Sequence, residues 1–250
     1  MWLAFAGVCF SSKIVAQVDS VKLVTPKPKK TDWSKVNLAG RSNDHFILQF
    51  GYDAWMNKPD SIQITGFSRH FNFYVMYDMP FKSNPQLSFA GGVGVGTSNI
   101  FFDKTSIDIA GKSGATSINF TDASKTNHFK KYKLTETWME VPVELRFVAN
   151  PLHSGRSFKI ALGAKIGTMV DAHTKGKDYE NAAGNSLYGS KYKEKEKSRK
   201  YFNSTRLAGT FRVGYGPFTA YAAYQFTSLF RENQGPKVYP FSVGIGISGL

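Results

Sequence analysis

Cysteine is all but missing from this chain: of 250 residues only Cys9 carries a thiol. Disulfides and thiolate metal sites are thereby excluded from everything beyond the first residues. Long apolar runs are missing too. No stretch approaches the ~20 apolar residues that a spanning helix needs, which excludes a helical membrane protein and leaves barrels open. Acids are scarce beside bases, 18 against 32, for a formal net charge of +14 and a pI near 9.7. The excess is concentrated in Lys27, Lys29, Lys30 and Lys35 and in two later segments. In a secreted chain such charge points away from nucleic acid and toward anionic headgroups or lipopolysaccharide phosphates.

The start reads as a secretory signal over 1–17, with an apolar Trp2–Phe10 and Ala16 at a cleavage position. It has no basic n-region. Val8 is too large for the residue preceding a lipidated cysteine, so Cys9 is not expected to be one. Residues 18–43, with Pro26, Pro28 and their lysines, lack periodicity and are expected to form a flexible basic periplasmic lead-in.

What the chain does have, from Asp44 onward, is a two-residue alternation repeated eight times. Strands are expected at about 44–55, 67–79, 86–101, 134–148, 157–171, 201–215, 218–228 and from 239 to the end. In the third, Leu87, Phe89, Val93 and Val95 alternate with Ser88, Ala90, Gly92, Gly94 and Gly96. In the fourth, Met139, Val141, Val143, Leu145 and Phe147 alternate with Glu140, Pro142, Glu144 and Arg146. Connections two, four and six are short, and one, three, five and seven are longer. The pattern predicts an all-β fold: an eight-stranded antiparallel up-and-down transmembrane β-barrel over 44–250, with short periplasmic turns and long extracellular loops. A soluble lipocalin-like barrel would alternate as well, with the apolar side inward. The small residues of the polar face, Gly92, Gly94, Gly96, Gly163, Gly167, Gly244 and Gly246, argue for a narrow interior instead. Aromatics at the inferred periplasmic strand ends (Tyr77, Phe89, Phe147, Phe158, Tyr215, Phe218, Phe241) read as an interfacial girdle.

The inward face would carry Asp53, Asp78, Glu140, Glu144 and Asp171 with Arg146, Lys159, Lys165, Arg206 and Arg212. Charges out of water must pair, and the short turn at 149–156 would bring Glu144 near Lys159. A lumen plug is expected, and a proton or solute path is the alternative. The basic segment 172–200 is expected to be a loop. Its Lys175, Lys177, Lys191, Lys193, Lys195, Lys197, Arg199 and Lys200 would offer a docking surface for lipopolysaccharide or a partner protein, or else a solvated loop. KYKEKEKSRK (191–200) looks like a charge-mixed strand extension. No metal-ligand spacing, phosphate loop or nucleophile elbow stands out, so neither metal nor cofactor is expected. GGVGVG (91–96) continues the strand period with no helix after it, and reads as lumen wall. Asp171, His173 and His128 near the outer rim are the candidates if the barrel modifies lipid A.

The segments FNFYVMYDMPF (71–81), LSFAGGVGVGTSN (87–99), WMEVPVELRF (138–147), RVGYGPFTAYAAYQFTSLF (212–230) and YPFSVGIGISGL (239–250) resemble the PorT-like outer-membrane β-barrel family of Bacteroidetes. The resemblance covers about 44–250 without the loops; Leu250 departs from the terminal aromatic common in insertion signals. It implies a non-enzymatic outer-membrane protein of a Gram-negative bacterium, accessory to or a scaffold in type IX-like protein secretion, with other envelope proteins as partners. The alternative is a surface-binding or adhesive barrel acting through its basic extracellular loops.

Overall fold

The computed structural model describes residues 45–249. The expected signal segment 1–17, the lead-in 18–43, Asp44 and Leu250 lie outside the described residues. Eight strands form the wall: β1 (Phe46–Met56), β2 (Arg69–Pro80), β3 (Leu87–Phe102), β6 (His128–Val148), β7 (Phe158–Glu180), β9 (Thr205–Tyr215), β10 (Phe218–Gln225) and β11 (Tyr239–Ser248). Two short strands, β4 (Thr105–Ile107) and β5 (Phe120–Asp122), form a separate hairpin, and β8 (Lys193–Lys197) adds to the upper part of β7. Each wall strand pairs antiparallel with its neighbours in the chain, and β1 pairs with β11, from Ile47↔Ser248 to Met56↔Tyr239, closing the ring. This is an eight-stranded antiparallel up-and-down barrel.

The short turns lie at one end. Gly216, with φ +58, makes the tightest of them with Pro217, a backbone that only glycine enters freely. A 3₁₀ turn over Pro151–Arg156, capped by the Asn150 side chain, makes another.

The apolar positions face outward. Val93, Leu162, Ile166 and Ile245 are 59, 64, 56 and 70% exposed, while their neighbours Glu140, Lys165 and Arg212 are buried. A soluble barrel would have the opposite polarity, so the lipocalin-like alternative is set aside in favour of the surface of a transmembrane barrel. From Phe218 to Phe226 along β10 the outward face is apolar throughout. The eight steps from Phe218 to Phe226, at ~3.3 Å each and tilted by ~40°, give a band roughly 20 Å tall, close to the ~25 Å of outer-membrane barrels.

One girdle residue is corrected. Phe241 opposes Ala54 at the long-loop end, because the last strand runs from that end toward the short turns. There it joins an aromatic ring that the sequence reading missed: Phe67 against Phe50 and Tyr52, and Tyr224 against Phe226 and Tyr239.

Strands four and five are longer than their apolar pattern. β6 begins at His128 rather than 134, and β7 runs to Glu180 rather than 171. Half of the segment expected as a basic loop is therefore paired sheet. The segment 103–127 folds as the β4–β5 hairpin and, with the other long connections, caps the bore. Trp55, Phe102, Phe120, Phe202 and Phe230 pack there with Ile107, Ile109 and Ile118. The largest apolar cluster of the described residues is thus in the loops and upper strand ends, above the ion-paired lumen.

Candidate functional site

Inside the bore the charges are ordered in layers. Nearest the short turns, Glu144 accepts from Arg146 Nε and Arg212, each at 2.8 Å, and Arg146 reaches Asp78 at 3.5 Å. In the middle, fully buried Glu140 accepts from Tyr74 Oη at 2.6 Å and Lys165 Nζ at 3.2 Å, and from Arg206 Nε at 2.7 Å. Toward the long-loop end, Asp53 lies 2.6 Å from His70 Nδ1 and from Ser242 Oγ, and accepts from Ser98.

Small residues make the room. A Cβ on Gly96 would sit 2.8 Å from both Asn72 Oδ1 and Glu140 Oε2. A cavity among Gln49, Tyr74, Glu144, Lys165 and Arg212 measures about 20 Å³, space for about one water.

Two expectations change. Glu144 is paired with Arg212 and Arg146, while Lys159 opposes Val148 and Glu144 opposes Gly163. Four residues of register separate them. Asp171 leaves the lumen series altogether. A β-bulge between Thr137 and Trp138 leaves Val170 unopposed, and the extra residue turns Asp171 away from the lumen bases. It bonds instead to His173 Nδ1 and Lys197 Nζ, each at 2.6 Å.

Above that bulge the wall continues as a three-stranded extension of β6, β7 and β8. Its register brings the lysines into rows. Lys131 opposes Lys177, which opposes Lys193; Lys133 opposes Lys175, which opposes Lys195. A third row runs Thr135, His173, Lys197. Because alternate residues share a face, all six lysines of the first two rows lie on the outward face, in line with the apolar band below.

The period of KEKEK sorts the charges. Glu194 and Glu196 take the inward face, where Glu196 holds Lys112 of the loop cap at 2.6 Å. Like charges directly opposed destabilise a sheet. Lys133 registers this: burial, then the charges of Lys175, Arg69 and Lys195, push its ammonium below the usual lysine range. Lys133 donates to Asn99 Oδ1 at 2.6 Å and lies over the Phe101 ring, as Arg69 does.

Of the eight expected binding residues, Lys175, Lys177, Lys193, Lys195 and Lys197 share this face. Lys191 is in the turn before β8, and Arg199 and Lys200 follow it toward β9. Lys131, Lys133 and Arg69 were missed; only their pairing partners reveal them. The candidates for lipid chemistry are not assembled. His173 opposes Thr135, whereas His128 opposes Glu180, seven residues along β7 and roughly 23 Å away.

The loop cap is stapled at Asp108. Burial pushes its carboxyl up, but the N–H and hydroxyl of Ser113 and the N–H groups of Lys112 and Gly111 outweigh this and hold its pKa at about 2. A depressed carboxylate stabilises the turn above its unfolded value of about 4, and the contribution is lost as pH falls through about 2. The amide resonances of Gly111, Lys112 and Ser113 should therefore titrate with a midpoint near 2. A midpoint near 4 would show that the staple does not form.

No protein-family model and no curated protein matches the chain. Among solved structures it is similar to Ail, the attachment invasion locus protein of Yersinia pestis, crystallised with the heparin analogue sucrose octasulfate. The identity is 14%, over 81% of this chain and 94% of that one, with a TM-score of 0.37. So loose a superposition says nothing about a shared function.

Proposed function

We propose that the chain spans the outer membrane of a Gram-negative bacterium and acts there as a non-enzymatic surface-binding barrel. The β6–β7–β8 extension would engage polyanionic polymers outside the cell. The observation that carries this reading is the pair of opposed lysine rows on a three-stranded sheet, with the strand's own glutamates turned to the other face. Cations spaced ~4.8 Å across the strands and ~7 Å along them repel one another until a flexible polyanion neutralises them.

The test uses the full chain in nanodiscs of uncharged lipid, with dextran sulfate as probe. Each lysine near an anionic surface contributes about 1 kcal/mol. Replacing Lys131, Lys175, Lys177 and Lys195 by glutamine should then weaken binding on the order of a hundredfold to a thousandfold and flatten its salt dependence. Unchanged affinity with intact heat-modifiable migration would sink the reading.

The accessory role in type IX-like secretion follows from the sequence resemblance alone. Loss of many secreted proteins at once from a deletion strain, restored by complementation, would favour that role over surface binding.

A further inference from the structure

The wall parts on one side just above the apolar band. β7 pairs with β9 as far as Thr168↔Thr205 and with β8 from His173↔Lys197 upward. Between these points residues 198–204 leave the sheet, tied at its two lips by Met169 N–H to Ser204 O (2.8 Å) and Ser198 N–H to Ala172 O (3.1 Å). The gap is a cavity of about 410 Å³ whose polar lining is Arg199, Lys200, Arg231, Ser198 and Ser204, over Met169 and Phe202.

Three cations and no carboxylate line it. Both guanidinium groups are anchored by backbone: Arg199 donates to Met169 O at 2.6 Å, and Arg231 Nε donates to Phe202 O at 2.9 Å. Each guanidinium carries five N–H donors, so the anchoring bond leaves most of its fork for a ligand. Among the described residues none of the three cations forms an ion pair. The acid on the neighbouring stretch of β7, Asp171, is held by Lys197 and His173.

The height of this notch selects its ligand. Directly below it, outward-facing Ile166 and Leu207 are exposed apolar side chains of the membrane band, and Val170 continues that band to the level of the notch. An amphiphile with acyl chains on those residues carries its headgroup to the level of Arg199 and Arg231. Planar guanidinium forks suit phosphate oxygens, and serine hydroxyls donate to the remaining ones.

We propose that the notch binds the phosphate of an outer-leaflet glycolipid of the lipid A class. The site is separate from the lysine rows, and the assignment rests on the membrane-spanning reading with the long loops outside.

The experiment is native mass spectrometry of the full chain in detergent, titrated with diphosphorylated lipid A, with its dephosphorylated form, and with inorganic phosphate. The expected result is a single retained diphosphorylated lipid A. Its affinity should fall roughly tenfold to a hundredfold in Arg199→Gln/Arg231→Gln and stay within about twofold in the four-lysine variant, with dextran sulfate binding showing the reverse pattern. Heat-modifiable migration confirms that both variants are folded. Equal binding of the dephosphorylated lipid, or unchanged affinity in the double arginine variant, would overturn the proposal. Loss of the lipid in the lysine variant alone would move the lipid site to the rows. Inorganic phosphate binding as tightly as the lipid would reassign the notch to soluble phosphates.

Discussion

Glu140→Ala should cost the barrel about 3–5 kcal/mol, the range for removing one partner of a buried ion pair. Glu140 is fully buried and answers two cations at once, Lys165 and Arg206, besides the Tyr74 hydroxyl. Alanine would leave both cations in the bore without their carboxylate, with the Arg206 guanidinium still stacked 4.6 Å from the Trp138 ring. The penalty comes from stranded charge more than from the lost bonds. Removing the charges together should therefore restore much of the stability: Glu140→Ala/Arg206→Met/Lys165→Met is expected to unfold closer to the parent than the single variant does. Urea midpoints in lipid vesicles, read by heat-modifiable migration, give the comparison. A single variant within about 0.5 kcal/mol of the parent would mean that water reaches Glu140 and that the bore is not closed.

The second large effect tests where the membrane lies. Val93 is outward-facing near mid-strand in β3, opposite Val75 of β2. If the band is immersed in lipid, Val93→Arg should destabilise by about 2–4 kcal/mol, the depth-dependent cost of arginine at the midplane. The same residue facing water would tolerate arginine within about 0.5 kcal/mol. Leu187→Arg supplies the internal control, since Leu187 is exposed in the long connection after β7, beyond the band. A lipid-spanning barrel separates the two substitutions clearly. Equal, small effects at both positions would mean that the apolar band is covered by something other than acyl chains.

The sequence was legible wherever the lipid-facing period was intact. All eight wall strands and the three short turns follow from an alternation in which large apolar residues occupy every second place. The Gly-rich runs of β3 and β11 marked the narrow inner face in the same way. Above the band only β8 was foreshadowed, by the charge-mixed KYKEKEKSRK (191–200); the strands it extends were not. Residues 130–133 and 174–177 keep the period of two, but its outward members, Lys131, Lys133, Lys175 and Lys177, are lysines, so the apolar signal ends while the strand continues. The loop cap was hidden for the converse reason: Ile107, Ile109, Ile118 and Phe120 are single apolar residues in polar surroundings, and only their convergence on Trp55 and Phe230 makes them a core.

By itself the sequence determined the architecture: the number of wall strands, which face is small and charged, which is apolar, and which connections are long. Those properties follow from local periodicity, and a slip of one residue would reverse every side chain. Only the tertiary structure decided the rest. One unopposed residue at the Thr137–Trp138 bulge took Asp171 from the lumen to His173 and Lys197. Register between strands far apart in sequence set Lys133, Lys175 and Lys195 side by side and put Arg199 and Lys200 beside Arg231. Pairing partners and bulges are non-local, and a charge acquires its role only when the chain brings its neighbours to it.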